Sequence, residues 1–255
     1  ATFRFYAELN DQLPRELRQV DVVRRFTGAP AVKDAIEAIG IPHTEVDLIL
    51  VDGEPVGFEE PLRDGARVSV YPVFEAMDVA PFARLRPEPL RQPRFVLDVH
   101  LGRLARLMRL GGLDVHFSPD HDDEALAAIS RDERRTLLTR DRGLLKRSAV
   151  THGYWVRETH AERQLVEVLR RFDLVRLLRP FTRCAVCNER LNPVPKETVG
   201  AELPERVRAR FDAFLRCEGC ARVYWAGTHH ARIGCVLARA ARQATTADGA
   251  GPDAR

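Results

Sequence analysis

Two Cys-x-x-Cys pairs, Cys184–Cys187 and Cys217–Cys220, stand 29 residues apart and constrain this chain more than any other feature. One such turn presents two thiolates to one side of a Zn²⁺, and two turns complete a tetrahedral four-sulfur site. Four of the five cysteines fall into the pattern. The rival pairing, two disulfides, needs an oxidising compartment. The chain opens directly on a strand-like pattern, with no secretory segment, and its apolar runs are too short to cross a bilayer. The expectation is therefore a cytoplasmic protein holding zinc, with no membrane partner. Four sulfurs leave no open position for water or substrate. The zinc is structural on this reading, and chemistry must lie elsewhere.

Charge is divided unevenly. The net charge of +3 conceals 8 Lys/Arg against 15 Asp/Glu in residues 1–80, or −7, and +10 over the rest. A basic C-terminal part suits a polyanion partner. An Arg-rich genome composition, or docking of the acidic part on the basic one, accounts for the same asymmetry.

Residues 1–78 read as a compact β-rich domain. Phe3, Phe5, Ala7 and Leu9 alternate with polar residues as one half-buried strand, and Val20 and Val22 suggest its return. Val32, Ala35, Ile36 and Ile39 have helical spacing, closed by Gly40 and Pro42. Val46, Leu48 and Leu50 alternate before Asp52-Gly53, a tight hairpin turn, and Val68 and Val70 form a last strand after Asp64-Gly65. The order β-β-α-β-β resembles the ubiquitin-like β-grasp. Some proteins of that fold carry sulfur on a terminal Gly-Gly; here the last strand runs on through Val73–Met77 without one. A docking or substrate-positioning role is expected instead, with a protein or the ribosome as a partner.

Residues 79–93 hold four prolines and read as a semi-rigid linker. From Arg94 to residue 178 strands and helices alternate, which predicts a small parallel sheet flanked by helices. Phe95–Leu97, Val115–Phe117, Thr136–Leu138 and Tyr154–Val156 are its strands. Leu101, Leu104, Ala105 and Met108 line one helix face, with Arg103, Arg106 and Arg109 off it. Glu124–Arg134 and Ala161–Phe172 are further helices. Residues 179–238 form the cysteine-bearing module, and residues 239–255 read as a disordered tail.

Ligands of an open α/β sheet bind beyond the carboxyl ends of its strands. Asp98 follows the first strand, Asp141 the third, and Asp123 starts the helix after the second. Carboxylates gathered there need a cation, and oxygen ligands suit Mg²⁺ or Mn²⁺, which can activate water against a phosphodiester. Each has a plainer alternative. Asp123 is placed to cap its helix, and Asp141 to cap the one that follows.

FVLDVHLGRLARLMRLGGLDV, DDEALAAISRDERRTLLTRDRGLLKR, RCAVCN and CEGCARVYWAGTHH occur in that order. Together they resemble the Mut-seven C-terminal RNase family, a PIN-like nuclease domain fused to a zinc ribbon, often behind a ubiquitin-like domain. The resemblance implies a PIN-like α/β fold, RNA as substrate and a divalent-metal site on Asp98, Asp123 and Asp141, the last within Thr139-Arg140-Asp141. Many PIN nucleases carry a fourth acidic or polar residue next; here Arg142-Gly143 follows.

Arg103, Arg106, Arg109, Arg140, Arg142 and Lys146 are candidate phosphate contacts, with a solvated helix face the alternative for Arg103 and Arg106. Thr139 either orients water or phosphate or is a buried strand-end hydroxyl. Tyr224 and Trp225 either stack on bases or pack beneath the zinc. His229 and His230 receive no metal, and Cys235 is expected to be a buried thiol. The leading expectation is a metal-dependent endoribonuclease; the alternative is a non-catalytic RNA- or ribosome-binding protein.

Overall fold

A computed structural model describes residues 1–72 and 93–246. The expected strand continuation at residues 73–77, the linker up to residue 92 and the tail from residue 247 lie outside the described residues.

The N-terminal domain contains β1 (Thr2–Phe5), β2 (Val22–Val23), α1 (Val32–Ile39), β3 (Val46–Val51), β4 (Glu54–Val56) and β5 (Arg67–Pro72). The strand order is β2-β1-β5-β3-β4, with β1 and β5 parallel at the centre. Phe3, Phe5, Ile36, Ile49 and Val70 fill the space between α1 and the sheet. Asp52 and Gly53 both have positive φ, 52° and 92°, so the β3–β4 turn matches the twist of its strands. This is the expected ubiquitin-like topology.

Its first strand is shorter than the alternation predicts. Ala7 turns to φ 45° and Ala7–Gln12 form a 3₁₀ helix, so Leu9 is buried in a helix rather than a strand. The Asn10 side chain closes this turn. Its amide donates to the Phe5 and Ala7 carbonyls, and its oxygen accepts from the Gln19 N–H. A local side chain thus outcompetes the ladder for the backbone.

The rest of the described chain contains β6 (Arg94–Leu97), α2 (Gly102–Leu110), β7 (Asp114–His116), α3 (Asp123–Asp132), β8 (Thr136–Thr139), α4 (Arg142–Leu145), β9 (Gly153–Trp155), α5 (Ala161–Arg171), β10 (Leu191–Val194), α6 (Lys196–Val199), α7 (Glu205–Arg210), β11 (Phe214–Cys217), β12 (Val223–Trp225) and α8 (Thr228–Thr245). The described chain forms two compact units. One joins residues 1–72 to 122–155, the other residues 93–121 to 156–246.

In the first unit β8 and β9 pair in parallel, with α3 and α4 against β8. The ubiquitin-like domain docks on this segment through polar contacts. Glu45 Oε1 accepts the Trp155 N–H, and His43 Nε2 meets the Val150 carbonyl at 2.9 Å. Lys146 Nζ donates to the Glu37 carbonyl and Arg142 Nη1 to the Gln12 carbonyl, at 2.6 and 2.7 Å.

In the second unit β6 and β7 pair in parallel, and α5 packs on α2 and α8. The ribbon is the antiparallel sheet β10-β11-β12. Gly112 joins α2 to the ribbon lead-in at φ 90°, where a Cβ would lie 2.2 Å from the Arg179 carbonyl oxygen, so only glycine fits. Helix α8 corrects the expected tail. It continues to Thr245, because Ile233, Leu237 and Ala240 form a buried stripe at helical spacing and alanine recurs along the helix at Ala231, Ala238, Ala240, Ala241 and Ala244. Cys235 falls on the opposite face and is exposed, contrary to the buried thiol expected.

Candidate functional site

The four predicted zinc ligands come together. All four Sγ atoms lie within 4.8 Å of one another, with Cys184–Cys220 at 3.6 Å and Cys187–Cys217 at 3.2 Å. Zn–S bonds of about 2.3 Å in a tetrahedron require S···S spacings of about 3.8 Å. A disulfide would require about 2.05 Å. The sulfur set therefore fits a zinc ion and not a pair of disulfides.

The two turns repeat one backbone geometry. Asn188 N–H bonds the Cys184 carbonyl and Ala221 N–H the Cys217 carbonyl. Each turn ends on a left-handed residue, Asn188 at φ 72° and Ala221 at φ 58°. Backbone N–H groups of Val186 and Cys220 point at the sulfurs of Cys184 and Cys217. The Tyr224 hydroxyl accepts the Ala185 N–H and lies 3.0 Å from Cys184 Sγ. Burial alone raises the Cys184 thiol, but Tyr224 and neighbouring N–H groups outweigh it and hold that thiol at about 6. Burial pushes the Cys217 thiol up to about 12.

Arg109, a predicted phosphate contact, has another occupation. It is buried, and its Nε donates to the Val115 carbonyl at 2.9 Å while Nη1 donates to the Val186 carbonyl at 2.6 Å. Nη2 reaches the Phe117 carbonyl at 3.3 Å. Burial lowers its affinity for the proton, and the nearby Cys184 and Cys187 oppose that shift. The guanidinium thus joins β7 to the first cysteine turn and sets a positive charge beside it. Asn188 reinforces this clasp. Its amide accepts the Val115 N–H and donates to Asp114, which also pairs with Arg183 at 3.3 Å. The pattern RCAVCN held Arg183 and Asn188 in view, but their partners are about 70 residues away.

Tyr224 and Trp225 face opposite sides of β12. Tyr224 packs with Cys184, Leu191 and Cys217, and Trp225 with Val199, Phe214 and their neighbours. The packing alternative applies to both. His230 stacks on Phe181 and His229 lies 3.4 Å from Arg106, so neither joins the sulfurs.

The acidic candidates occupy helix starts and strand ends. Asp98 caps the 3₁₀ turn after β6, accepts the His100 N–H at 3.1 Å and is 5% exposed. Asp122, not Asp123, caps α3 by accepting the Ala125 N–H at 2.8 Å. Asp123 is released into the first turn and lies 3.5 Å from Arg147. Asp141 caps α4, accepting the Gly143 N–H at 2.7 Å, while its own N–H donates to Thr139 Oγ1 at 2.9 Å. Thr139 is fully buried. Trp155 Nε1 donates to the Arg140 carbonyl, and the Arg142 guanidinium sits 4.9 Å from the Trp155 ring centre. Arg103 is exposed on α2.

Comparison with known families completes the picture. The model of the Mut7-C RNAse domain matches residues 93–237, over half of the chain. The chain belongs to the Mut7-C RNAse domain family. The Mut7-C ubiquitin model matches residues 1–78, the domain built on β1–β5. The Mut7-C match spans both the strand–helix alternation and the ribbon, so the four-sulfur cluster is part of the family domain. It points to a nuclease-type activity with RNA as the substrate class. No curated protein and no solved structure matches the chain. Among the described residues no helix is long and apolar enough to cross a membrane.

Proposed function

We propose that the chain is a metal-dependent endoribonuclease whose metal ligands are Asp98, Asp123 and Asp141. The observation that carries the reading is the Mut7-C RNAse domain match over residues 93–237, which encloses all three. The donor set supports it: three carboxylates offer only oxygen, as hard Mg²⁺ or Mn²⁺ prefers. When bound, such an ion supplies an acidified water and neutralises charge on the phosphodiester.

The chain's own residues do the rest. Thr139 fixes the backbone of Asp141 through the N–H it accepts, so the carboxylate leaves β8 at a set angle. Arg142, held over Trp155, and the half-buried Arg140 supply positive charge beside Asp141, and Arg103, exposed on α2, is a further candidate phosphate contact. The ribbon and its structural zinc keep β7 and α2 in place through Arg109.

The test is cleavage of labelled RNA by the zinc-loaded chain with Mg²⁺, Mn²⁺ or neither, beside Asp98→Asn and Asp141→Asn. Hydrolysis leaves 5′-phosphate and 3′-hydroxyl ends, and both variants lose at least about 100-fold in rate. Ends carrying 2′,3′-cyclic phosphate overturn the mechanism, because they arise from attack by the 2′-hydroxyl.

A second reading, RNA binding without turnover, is favoured by one observation. Asp123 pairs with Arg147 and Asp141 caps α4, so both carboxylates have work in the fold. RNA held but not cut with either ion selects it.

A further inference from the structure

The first unit contains an open cleft of about 550 Å³ between the ubiquitin-like domain and the α4–β9 segment. Its volume falls in the range of small-ligand sites. Asp11, Gln12 and Arg18 line one wall, and Arg142, Lys146 and Trp155 the other. Neither wall makes a site alone.

Two independent observations point to a ligand. Gln12 is 4% exposed, and neither its amide nitrogen nor its amide oxygen has a partner among the described residues. Burying both ends of an amide unpaired is unfavourable, so a donor and an acceptor are expected from elsewhere. The second observation is charge. Arg18 donates to the Leu13 and Asp11 carbonyls, Arg142 to the Gln12 carbonyl and Lys146 to the Glu37 carbonyl. Carbonyls position these cations without neutralising them, and Asp11 is the one acidic residue lining the cleft. Three oriented cations around an unpartnered amide and a tryptophan suit a phosphate-bearing, base-bearing strand. The amide offers a donor and an acceptor to a base edge, and Trp155 an aromatic edge beside them. Arg142 and Gly143 line the cleft immediately after Asp141, so a strand lying in it passes next to that carboxylate.

We propose that this cleft binds single-stranded RNA, which makes the ubiquitin-like domain one wall of the substrate site. The inference rests on the ribonuclease reading for the identity of the strand, and its test does not depend on cutting.

Binding of a fluorescein-labelled ten-nucleotide uridine RNA to the full zinc-loaded chain is measured by anisotropy, without Mg²⁺ or Mn²⁺, across a salt series. Gln12→Leu weakens binding about tenfold. Its thermal midpoint stays the same or rises, since an unpaired buried amide is removed. A purely structural glutamine would not move the affinity. Exposed Arg18→Gln weakens binding and lowers the slope of log K against log salt by about 0.7. This second variant keeps the test intact if Gln12→Leu fails to fold. Wild-type affinity and salt slope in both variants overturn the proposal and place the RNA elsewhere. The two readings fail differently. A chain that cuts no RNA, yet binds it in a Gln12- and Arg18-dependent way, lacks the nuclease but has the cleft; a chain that cuts and binds indifferently to both substitutions lacks the cleft.

Discussion

The cysteines of the ribbon and the carboxylates of the nuclease domain differ in what else they do. At the ribbon, backbone N–H groups and Tyr224 already point at the sulfurs, and no cysteine side chain caps a helix. Asp98, by contrast, caps a 3₁₀ turn, Asp141 caps α4, and Asp123 pairs with Arg147. Ligands that serve only a metal depend on it for their conformation. Ligands that also serve the fold keep theirs without one, which lets a metal come and go at little structural cost. On the proposed reading the ribbon depends on its metal for its architecture, whereas each carboxylate keeps its place in the fold without one.

The largest effect follows directly. Zinc binding to a small ribbon is worth on the order of 10 kcal/mol of folding free energy. One zinc per chain is expected by native mass spectrometry. Removing it with a strong chelator, or replacing Cys217 with serine, abolishes hydrogen-exchange protection across β10–β12. Protection of β8, α4 and the ubiquitin-like domain persists. A ribbon that stays protected after chelation breaks the comparison, since its sulfurs would then need no metal.

Arg109 gives the next effect. Its guanidinium satisfies carbonyls on both β7 and the first cysteine turn, so Arg109→Met strands one buried acceptor, at Val115, and part-buried ones at Val186 and Phe117. Hydrogen bonds from a charged donor contribute about 1.5–3 kcal/mol each in net terms, and removing a buried partner costs about 3 kcal/mol or more. The expected loss is about 3 kcal/mol, read as a lower thermal midpoint. Arg109→Lys recovers only part, because an ammonium cannot span the same carbonyls as the planar fork. An unchanged midpoint in Arg109→Met would mean that the clasp contributes nothing to the ribbon's attachment.

These same residues mark how far the sequence reaches. The Cys-x-x-Cys pairs were legible because their function lies in a short spacing. The helix Val32–Ile39 and the Asp52-Gly53 turn were legible because apolar period and positive φ are local properties. Arg109 was not. Period alone sets it apart from Leu104, Ala105 and Met108, as for any solvated arginine, and its acceptors at Ala185 and Val186 are far along the chain. Gln12 escaped for a related reason. It sits in a 3₁₀ turn that depends on Asn10 and a left-handed Ala7, where alternation predicted a strand nearby. The positions of Asp98, Asp123 and Asp141 at strand ends and helix starts follow from pattern. Which of Asp122 and Asp123 would be the cap did not, because adjacent aspartates have equal propensity.

That last distinction yields the smallest effect and the cleanest separation of fold from chemistry. Asp122 and Asp141 make the same kind of helix cap, to Ala125 and Gly143. Alanine at either position removes a cap and costs about 1 kcal/mol, whereas asparagine keeps the accepting oxygen and costs little. Stability therefore sorts the four variants by substituent: both alanines lose about 1 kcal/mol and both asparagines almost nothing. Activity sorts them by position. If Asp141 binds the catalytic ion, Asp141→Asn stops RNA cleavage in a chain as stable as wild type, and Asp122→Ala cuts normally in a weakened one. Cleavage that instead tracks the thermal midpoint across all four would assign Asp141 to capping alone and leave the carboxylates without the double role that separates them from the cysteines.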